Sequence, residues 1–314
     1  KVSIGTAVRI FTGAPVPKGS DHILIQEDCI KSNDKIIINK VFDKNNFIRP
    51  KGGDFKVGDC IDAPLRLNAS LISLLAAMNI AEVPVFRKPI IALIATGDEL
   101  VNVGEVPEKD QIISSNNYGL KTLIETSGGI ARLLPIARDT SQELKTVLNL
   151  CNNVDLIVTL GGASVGDYDL VHSTAIDMGM ETSFYKVAMR PGKPLMAGKI
   201  GKIPIFGLPG NPVSALVCGM IFLKPALNVM LGKGKAPLDT QNAILENDLP
   251  QNGPREHYMR AKMRFVNGTQ TVEPFGQQDS SLLTILSKAN ALLVRPANDK
   301  AKQKGSSVKV IPLK

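Results

Sequence analysis

The 314-residue chain has a formal net charge of +8, 44% hydrophobic residues, only 4% aromatic residues and no Trp. This length and apolar content allow two or three domains with a sizeable core. The basic balance points to anionic ligands. The scarcity of aromatic residues leaves the chain without the stacking platforms expected of a single-strand nucleic-acid binder, and anionic small molecules fit as well.

In chain order, residues 8–11 run as a short strand into a Pro/Gly-rich turn, Thr12-Gly13-Ala14-Pro15-Val16-Pro17, and residues 23–26 and 35–40 read as further strands. Asn68 is a good N-cap for a helix over residues 69–79, where Leu71, Ile72, Leu74, Leu75 and Met78 share one face. Residues 83–86 are extended, and Arg87-Lys88-Pro89 marks a domain boundary.

A regular alternation follows. Strands at 90–95, 131–135, 156–160 and 203–207 alternate with helices at 116–126, 141–151 (capped by Ser141) and 170–178. Such alternation implies right-handed βαβ crossovers, hence an α/β fold: a three-layer α/β/α domain with a mainly parallel sheet. Asn211 as N-cap and Pro212 at the first helical position start a further helix, which Pro225 should kink or split. Its apolar run is interrupted by Ser214, Lys224, Pro225 and Asn228, so it reads as a core helix, not a membrane span. Beyond residue 232, strands at 260–266, 270–274, 291–295 and 307–310 predict a small all-β C-terminal domain. Cys29, Cys60, Cys151 and Cys218 form no Cys-x-x-Cys pair or zinc spacing and read as reduced, mostly buried thiols of a cytosolic protein.

The chemistry gathers around the strand at 156–160. The loop Gly161-Gly162-Ala163-Ser164-Val165-Gly166-Asp167-Tyr168-Asp169 follows it directly, and Lys186, Arg190 and Lys193 come from the next loop. Gly161 and Gly162 let backbone approach a ligand, Ser164 adds a hydroxyl, and the cations suit a polyanion; a tight structural turn is the alternative. Glu99, Asp139 and Asp169 all fall at carboxyl ends of strands, where open α/β sheets bind ligands. Three converging carboxylates would hold Mg²⁺ together with a phosphate, although Asp98 and Asp139 also read as helix N-caps. Ser280 or Ser281 reads as a cap for a helix over 282–289, and His22, His172 and His257 as surface or packing residues.

Five ordered blocks then resemble one family: Thr12-Gly-Ala-Pro-Val-Pro, Ala95-Thr-Gly-Asp-Glu-Leu, Gly161-Gly-Ala-Ser-Val-Gly-Asp-Tyr-Asp, Ala188-Met-Arg-Pro-Gly-Lys-Pro and Gly207-Leu-Pro-Gly-Asn-Pro-Val-Ser. They look like the signatures of the molybdopterin molybdenumtransferases, enzymes related to the gephyrin E domain. The resemblance implies insertion of molybdate into adenylylated molybdopterin with release of AMP, Mg²⁺ as cofactor, and a cytoplasmic homodimer with its cleft at the dimer interface. It also implies a partial β insertion domain at 1–50, a partial N-terminal dimerisation domain at 51–87, the molybdopterin-binding α/β domain at 88–232 and the C-terminal β domain at 233–314, with roughly the first quarter of a family member preceding residue 1.

The resemblance further implies that Glu99, Asp139 and Asp169 fall at the family's catalytic and metal positions. Lys186, Arg190, Arg260 and Ser280 resemble its molybdate and pterin-phosphate contacts, and Thr12 matches a cleft residue expected from the partner chain. The chain departs at Ser114-Ser115-Asn116, where the family has Asp at the first place, and at Leu160 and Ala163, where Ser and Val are more frequent. Two other functions are compatible with parts of the pattern: a pyridine-nucleotide deamidase of the competence-damage-inducible family, and a non-enzymatic scaffold of the same fold. The Pro-Gly-Asn-Pro and Arg-Pro-Gly-Lys-Pro blocks argue against the first, and the acidic and basic cleft residues against the second.

Overall fold

Residues 1–39, 45–162, 170–235 and 237–313 are described in the computed structural model, which divides into two units, Lys1–Glu82 and Val83–Lys314. In the first unit a 3₁₀ turn, Gln26–Asp28, precedes an antiparallel hairpin of β1 (Cys29–Ser32) and β2 (Lys35–Ile38). Ser32 pairs with Lys35 across a two-residue turn in which Asn33 has φ 53°, the left-handed backbone such hairpins need. In α1 (Ala69–Ala77), Asn68 Oδ1 accepts the Leu71 N–H at 2.9 Å, the expected cap.

The expected strands at 8–11 and 23–26 are not formed. An isolated strand leaves its N–H and C=O groups without a ladder partner, and Ile25 instead accepts the Asp28 N–H at 3.0 Å to close the 3₁₀ turn.

The second unit runs through β3 (Ile90–Ala95), β4 (Leu100–Val101), β5 (Ile112–Ile113), α2 (Asn116–Thr126), β6 (Ile130–Leu133), α3 (Ser141–Asn149), β7 (Leu156–Leu160) and α4 (Leu170–Asp177). It continues with β8 (Met180–Tyr185), β9 (Met189–Arg190), β10 (Met196–Ile200), β11 (Ile203–Leu208), α5 (Pro212–Cys218) and α6 (Lys224–Met230). The sheet order is β6-β3-β7-β11-β10-β8. β6, β3, β7 and β11 are mutually parallel, whereas β10 is antiparallel to both of its neighbours.

Strand alternation builds the three layers. Ile91 and Leu93 point into one core with Leu120, Ile124, Val213 and Leu227, while Ala92 and Ile94 point into the other with Leu144, Val147, Val171 and Ala175. Arg87 donates to both carboxylate oxygens of Asp155, which also accepts the Ile90 N–H at 2.8 Å and fixes the start of β3 beside β7.

The helix after Pro212 is split as expected. A π segment, Gly219–Leu223, joins α5 to α6, and the Lys224 N–H reaches back to the Gly219 carbonyl. Pro225 has no N–H to continue the ordinary ladder, which favours this irregularity. Although Pro212–Met230 is long and apolar enough to cross a membrane, Val213, Ala215, Val217, Cys218, Leu223 and Leu227 are buried in the domain core.

The last sheet is formed by β12 (Gln241–Leu245), β13 (Glu256–Val266), β14 (Thr269–Pro274), β15 (Ala291–Arg295) and β16 (Ser307–Pro312), with α7 (Leu283–Lys288) between β14 and β15. Its order is β14-β12-β16-β15-β13-β9, and an added β14–β13 pairing closes it barrel-like around Leu245, Ala261, Val272, Leu293 and Val310. Its edge strand β9 comes from the α/β layer: Met189 and Arg190 run parallel to Glu256 and His257. Of the cysteines, Cys151 and Cys218 are buried, with burial pushing their thiols up to about 11 and about 12, while Cys60 is exposed and Cys29 intermediate.

Candidate functional site

The crossovers themselves create the site. β3 leads through α2 to β6 on one side, and β6 returns through α3 to β7 on the other side of β3. A parallel sheet opens a crevice at such a reversal, beyond the strands' carboxyl ends. There a cavity of about 970 Å³ is lined by Thr96, Gly97 and Glu99 after β3, Asp139 after β6, Gly161 and Gly162 after β7, and Pro209, Gly210 and Asn211 after β11. Ser114, Ser115 and Asn116 at the start of α2, Leu170 and Ser173 of α4, and Ser281 complete much of the wall.

The two glycines are required by this packing. Gly161 has φ +94°, and a Cβ there would stand 2.6 Å from the Thr96 carbonyl oxygen; at Gly162, with φ +64°, it would meet Val171 Cγ2 at 2.3 Å. Only glycine lets the β7 turn close against Thr96, which is buried. The Thr96 N–H continues the β3–β7 ladder by donating to Leu160 O at 2.9 Å.

The acidic side is organised by Arg138 and Asp98. Arg138 Nη1 donates to the carbonyls of Asp98 at 2.9 Å and Leu100 at 3.0 Å, which flank Glu99 in sequence. Asp98 Oδ1 accepts the Asp139 N–H at 2.9 Å, so neither Asp98 nor Asp139 caps a helix; Thr140 caps α3, accepting the Glu143 N–H at 3.2 Å. Partial burial, then the charge of Asp98 and more weakly that of Glu99, raise the Asp139 carboxyl above its ordinary value, against the backbone hydrogen bond from Asp98 and the smaller pull of Arg138.

Glu99 and Asp139 are the two carboxylates of this wall, and one or two protein carboxylates together with substrate phosphate are the donors that Mg²⁺ takes. Among the described residues no three His, Cys, Asp or Glu side chains form a complete ion-binding group. Asp169 and Ser164 lie outside the described residues.

The basic residues stand on the neighbouring turn. Val187 and Leu195 both donate their N–H to the Lys193 carbonyl at 3.0 Å, closing a turn that exposes Lys186, Arg190 and Lys193 while Pro194 reaches the cavity wall. None of the three cations has a carboxylate within ion-pair distance among the described residues.

Arg260 differs. It is 1% exposed, its Nε donates to Gln278 Oε1 at 3.1 Å and its Nη1 to the Asp279 carbonyl at 2.6 Å. It holds the loop that carries Ser280 and does not itself line the cavity. Ser280 Oγ accepts from Asn211 Nδ2 at 3.1 Å, and its carbonyl accepts the Val213 N–H at 3.0 Å, which brings the C-terminal barrel to the start of α5.

Glu99, Asp139, Gly161 and Gly162 therefore share one cavity, Ser280 sits at its rim through Asn211, and Lys186, Arg190 and Lys193 lie on the adjoining turn. Thr12 is exposed in a turn of the first unit. Asn211 was expected as a helix cap but makes no capping bond, its amide going to Ser280 instead. Neither Ser280 nor Ser281 caps α7, because Ser281 donates to Asp279 Oδ1 at 2.6 Å. Ser173 is a wall residue that no sequence motif marked, whereas Thr96 and Asn116 stand within stretches already noted, Thr96 directly after a buried strand.

Three family descriptions match this sequence: a probable molybdopterin binding domain over residues 92–229, a MoeA C-terminal region (domain IV) over 242–313, and a MoeA N-terminal region (domains I and II) over 1–79. A molybdopterin molybdenumtransferase of Nostoc sp. is 34% identical, covering 98% of this chain and 72% of that protein. One of Staphylococcus aureus is 32% identical, covering 97% of this chain and 73% of that protein. Among solved structures, the molybdopterin biosynthesis moeA protein of Pyrococcus horikoshii OT3 superposes with a TM-score of 0.76 at 27% identity, covering 98% of this chain and 76% of that one.

Proposed function

The chain belongs to the molybdopterin molybdenumtransferase family, and from that premise we propose that its strand-end cavity is where molybdate is inserted into adenylylated molybdopterin with release of AMP. The observation that carries this reading is the pairing of an acidic wall, Glu99 and Asp139, with an exposed basic turn, Lys186 to Lys193, beside a glycine floor. A pyrophosphate-linked substrate and a dianionic oxyanion repel each other, so holding both demands concentrated positive charge and a cation together.

Backbone at Gly161 and Gly162 lies against the substrate, and the open start of α2 at Ser115 and Asn116 favours a phosphate. Lys186, Arg190 and Lys193 neutralise the oxyanions. Glu99 and Asp139 would hold Mg²⁺, which when bound withdraws charge from the pyrophosphate. Asp169, named by the family resemblance alone, belongs to the same acidic set. The reading includes a cytoplasmic homodimer, which the resemblance of the sequence blocks implies. The deamidase and scaffold alternatives are not favoured, since the likeness to molybdenumtransferases runs through nearly the whole chain, C-terminal barrel included.

The test is chromatographic detection of AMP from purified adenylylated molybdopterin mixed with this chain, with and without molybdate and Mg²⁺. AMP that appears only with both supports the reading. Substrate bound but never cleaved supports a scaffold instead.

A further inference from the structure

Lys186 is held in an unusual way. In an extended strand successive side chains point to opposite faces, so the residue after β8 would carry its ammonium away from the ring of Tyr185. Lys186 instead has φ +71°, a conformation uncommon for a residue with a Cβ, and its Nζ lies 4.7 Å from the centroid of the Tyr185 ring. Its backbone N–H is fixed to Leu195 O at 2.8 Å, so the turn that produces this φ is anchored.

The ring is braced in its turn. His172 stacks on Tyr185 with centroids 4.6 Å apart and planes 25° from parallel, and His172 Nε2 lies 3.3 Å from Thr182 Oγ1. His172 belongs to α4, whose Leu170 and Ser173 line the cavity. The ring thus spans from a wall helix to the basic turn.

We propose that Tyr185 is a positioning residue for Lys186, its ring face holding the ammonium on the substrate side of the basic turn. The proposal rests on the reading of Lys186 as a contact to the anionic substrate. A ring face attracts a cation without neutralising it. The charge stays available to a phosphate, whereas a carboxylate partner would compete for it.

The experiment is a double-mutant cycle on the full 314-residue chain, comparing Tyr185→Leu, Tyr185→Phe, Lys186→Ala and Tyr185→Leu/Lys186→Ala. KM and kcat for AMP release are read alongside the rate at which an amine-reactive reagent labels Lys186, followed by mass spectrometry. Tyr185→Leu should raise KM about 2- to 5-fold with kcat kept and speed labelling by a similar factor. Tyr185→Phe, which keeps the ring, should restore both. The double variant should bind no worse than Lys186→Ala.

Leu and Phe acting alike, or a Leu effect undiminished in the Lys186→Ala background, would overturn the proposal. Labelling that responds to Tyr185→Leu while Lys186→Ala leaves KM unchanged would instead remove Lys186 from the substrate contacts, leaving the ring's hold on the ammonium intact. Thermal unfolding of each variant separates these outcomes from loss of fold.

Discussion

Asp98 accepts the backbone N–H of Asp139 at 2.9 Å, across forty-one positions of sequence. This bond ties the loop after β3 to the segment after β6, and a parallel bridge between Thr96 and Ala137 reinforces it. It also sets two carboxylates side by side, which together with partial burial keeps Asp139 above its ordinary range.

Asp139 therefore opposes folding when ionised. Its folded-state pKa lies above the unfolded value near 3.8, so its contribution is most favourable at low pH and is lost as pH rises through that folded value. Asp139→Asn should leave the melting temperature at neutral pH unchanged or raised. The same variant should lower AMP release on the order of 100-fold. A variant both destabilised and active would reverse this account.

Arg260 predicts the opposite pairing of effects. Arg260→Lys cannot reproduce a buried fork that serves Gln278 and the Asp279 carbonyl at once. Denaturant unfolding should show a loss of about 2 kcal/mol, and KM should rise because the Ser280 loop loses its anchor.

Gly161→Ala tests the floor of the cavity. The new Cβ would lie 2.6 Å from the Thr96 carbonyl oxygen at φ +94°, costing about 2 kcal/mol or more. Substrate affinity should fall with stability, measured by unfolding and by equilibrium binding of adenylylated molybdopterin.

His257 sets an acid limb. It is 7% exposed, and burial, followed by the charges of Arg190, Arg260, Arg295 and Arg255, lowers it from 6.5 to about 4. Unfolded chains take up this proton below pH 6.5 while the folded state declines it until about 4. The stability it contributes is therefore full above 6.5 and lost progressively down to about 4. His257→Gln should flatten the pH dependence of unfolding in that window by up to one proton.

Much of this architecture was legible because burial and periodicity agreed. Ile90–Ala95, Asn116–Thr126 and Leu156–Leu160 fall at their expected bounds, each a buried apolar run or an amphipathic helix. The strands β8 and β10 were not: Met180-Glu-Thr-Ser-Phe-Tyr is a largely exposed edge strand rich in polar residues, and Met-Ala-Gly-Lys-Ile beside it is short, with small residues and a central glycine.

Caps were misassigned where a hydroxyl or amide had a better tertiary offer, as with Asn211 and Ser280, a pairing set by contacts sixty-nine positions apart. The glycine floor and the Glu99 and Asp139 wall followed from strand-end position. Arg260, expected at the substrate, is buried behind the loop it supports, which charge alone does not reveal.

The most direct test is molybdate-dependent AMP release by Glu99→Gln, set beside Glu181→Gln, whose carboxylate pairs with Lys199 on the β8 edge away from the cavity lining. The account predicts a loss on the order of 100-fold for Glu99→Gln, with substrate still bound and Glu181→Gln at the unmodified rate. Equal AMP release from both variants would contradict it and move the chemistry out of this cavity.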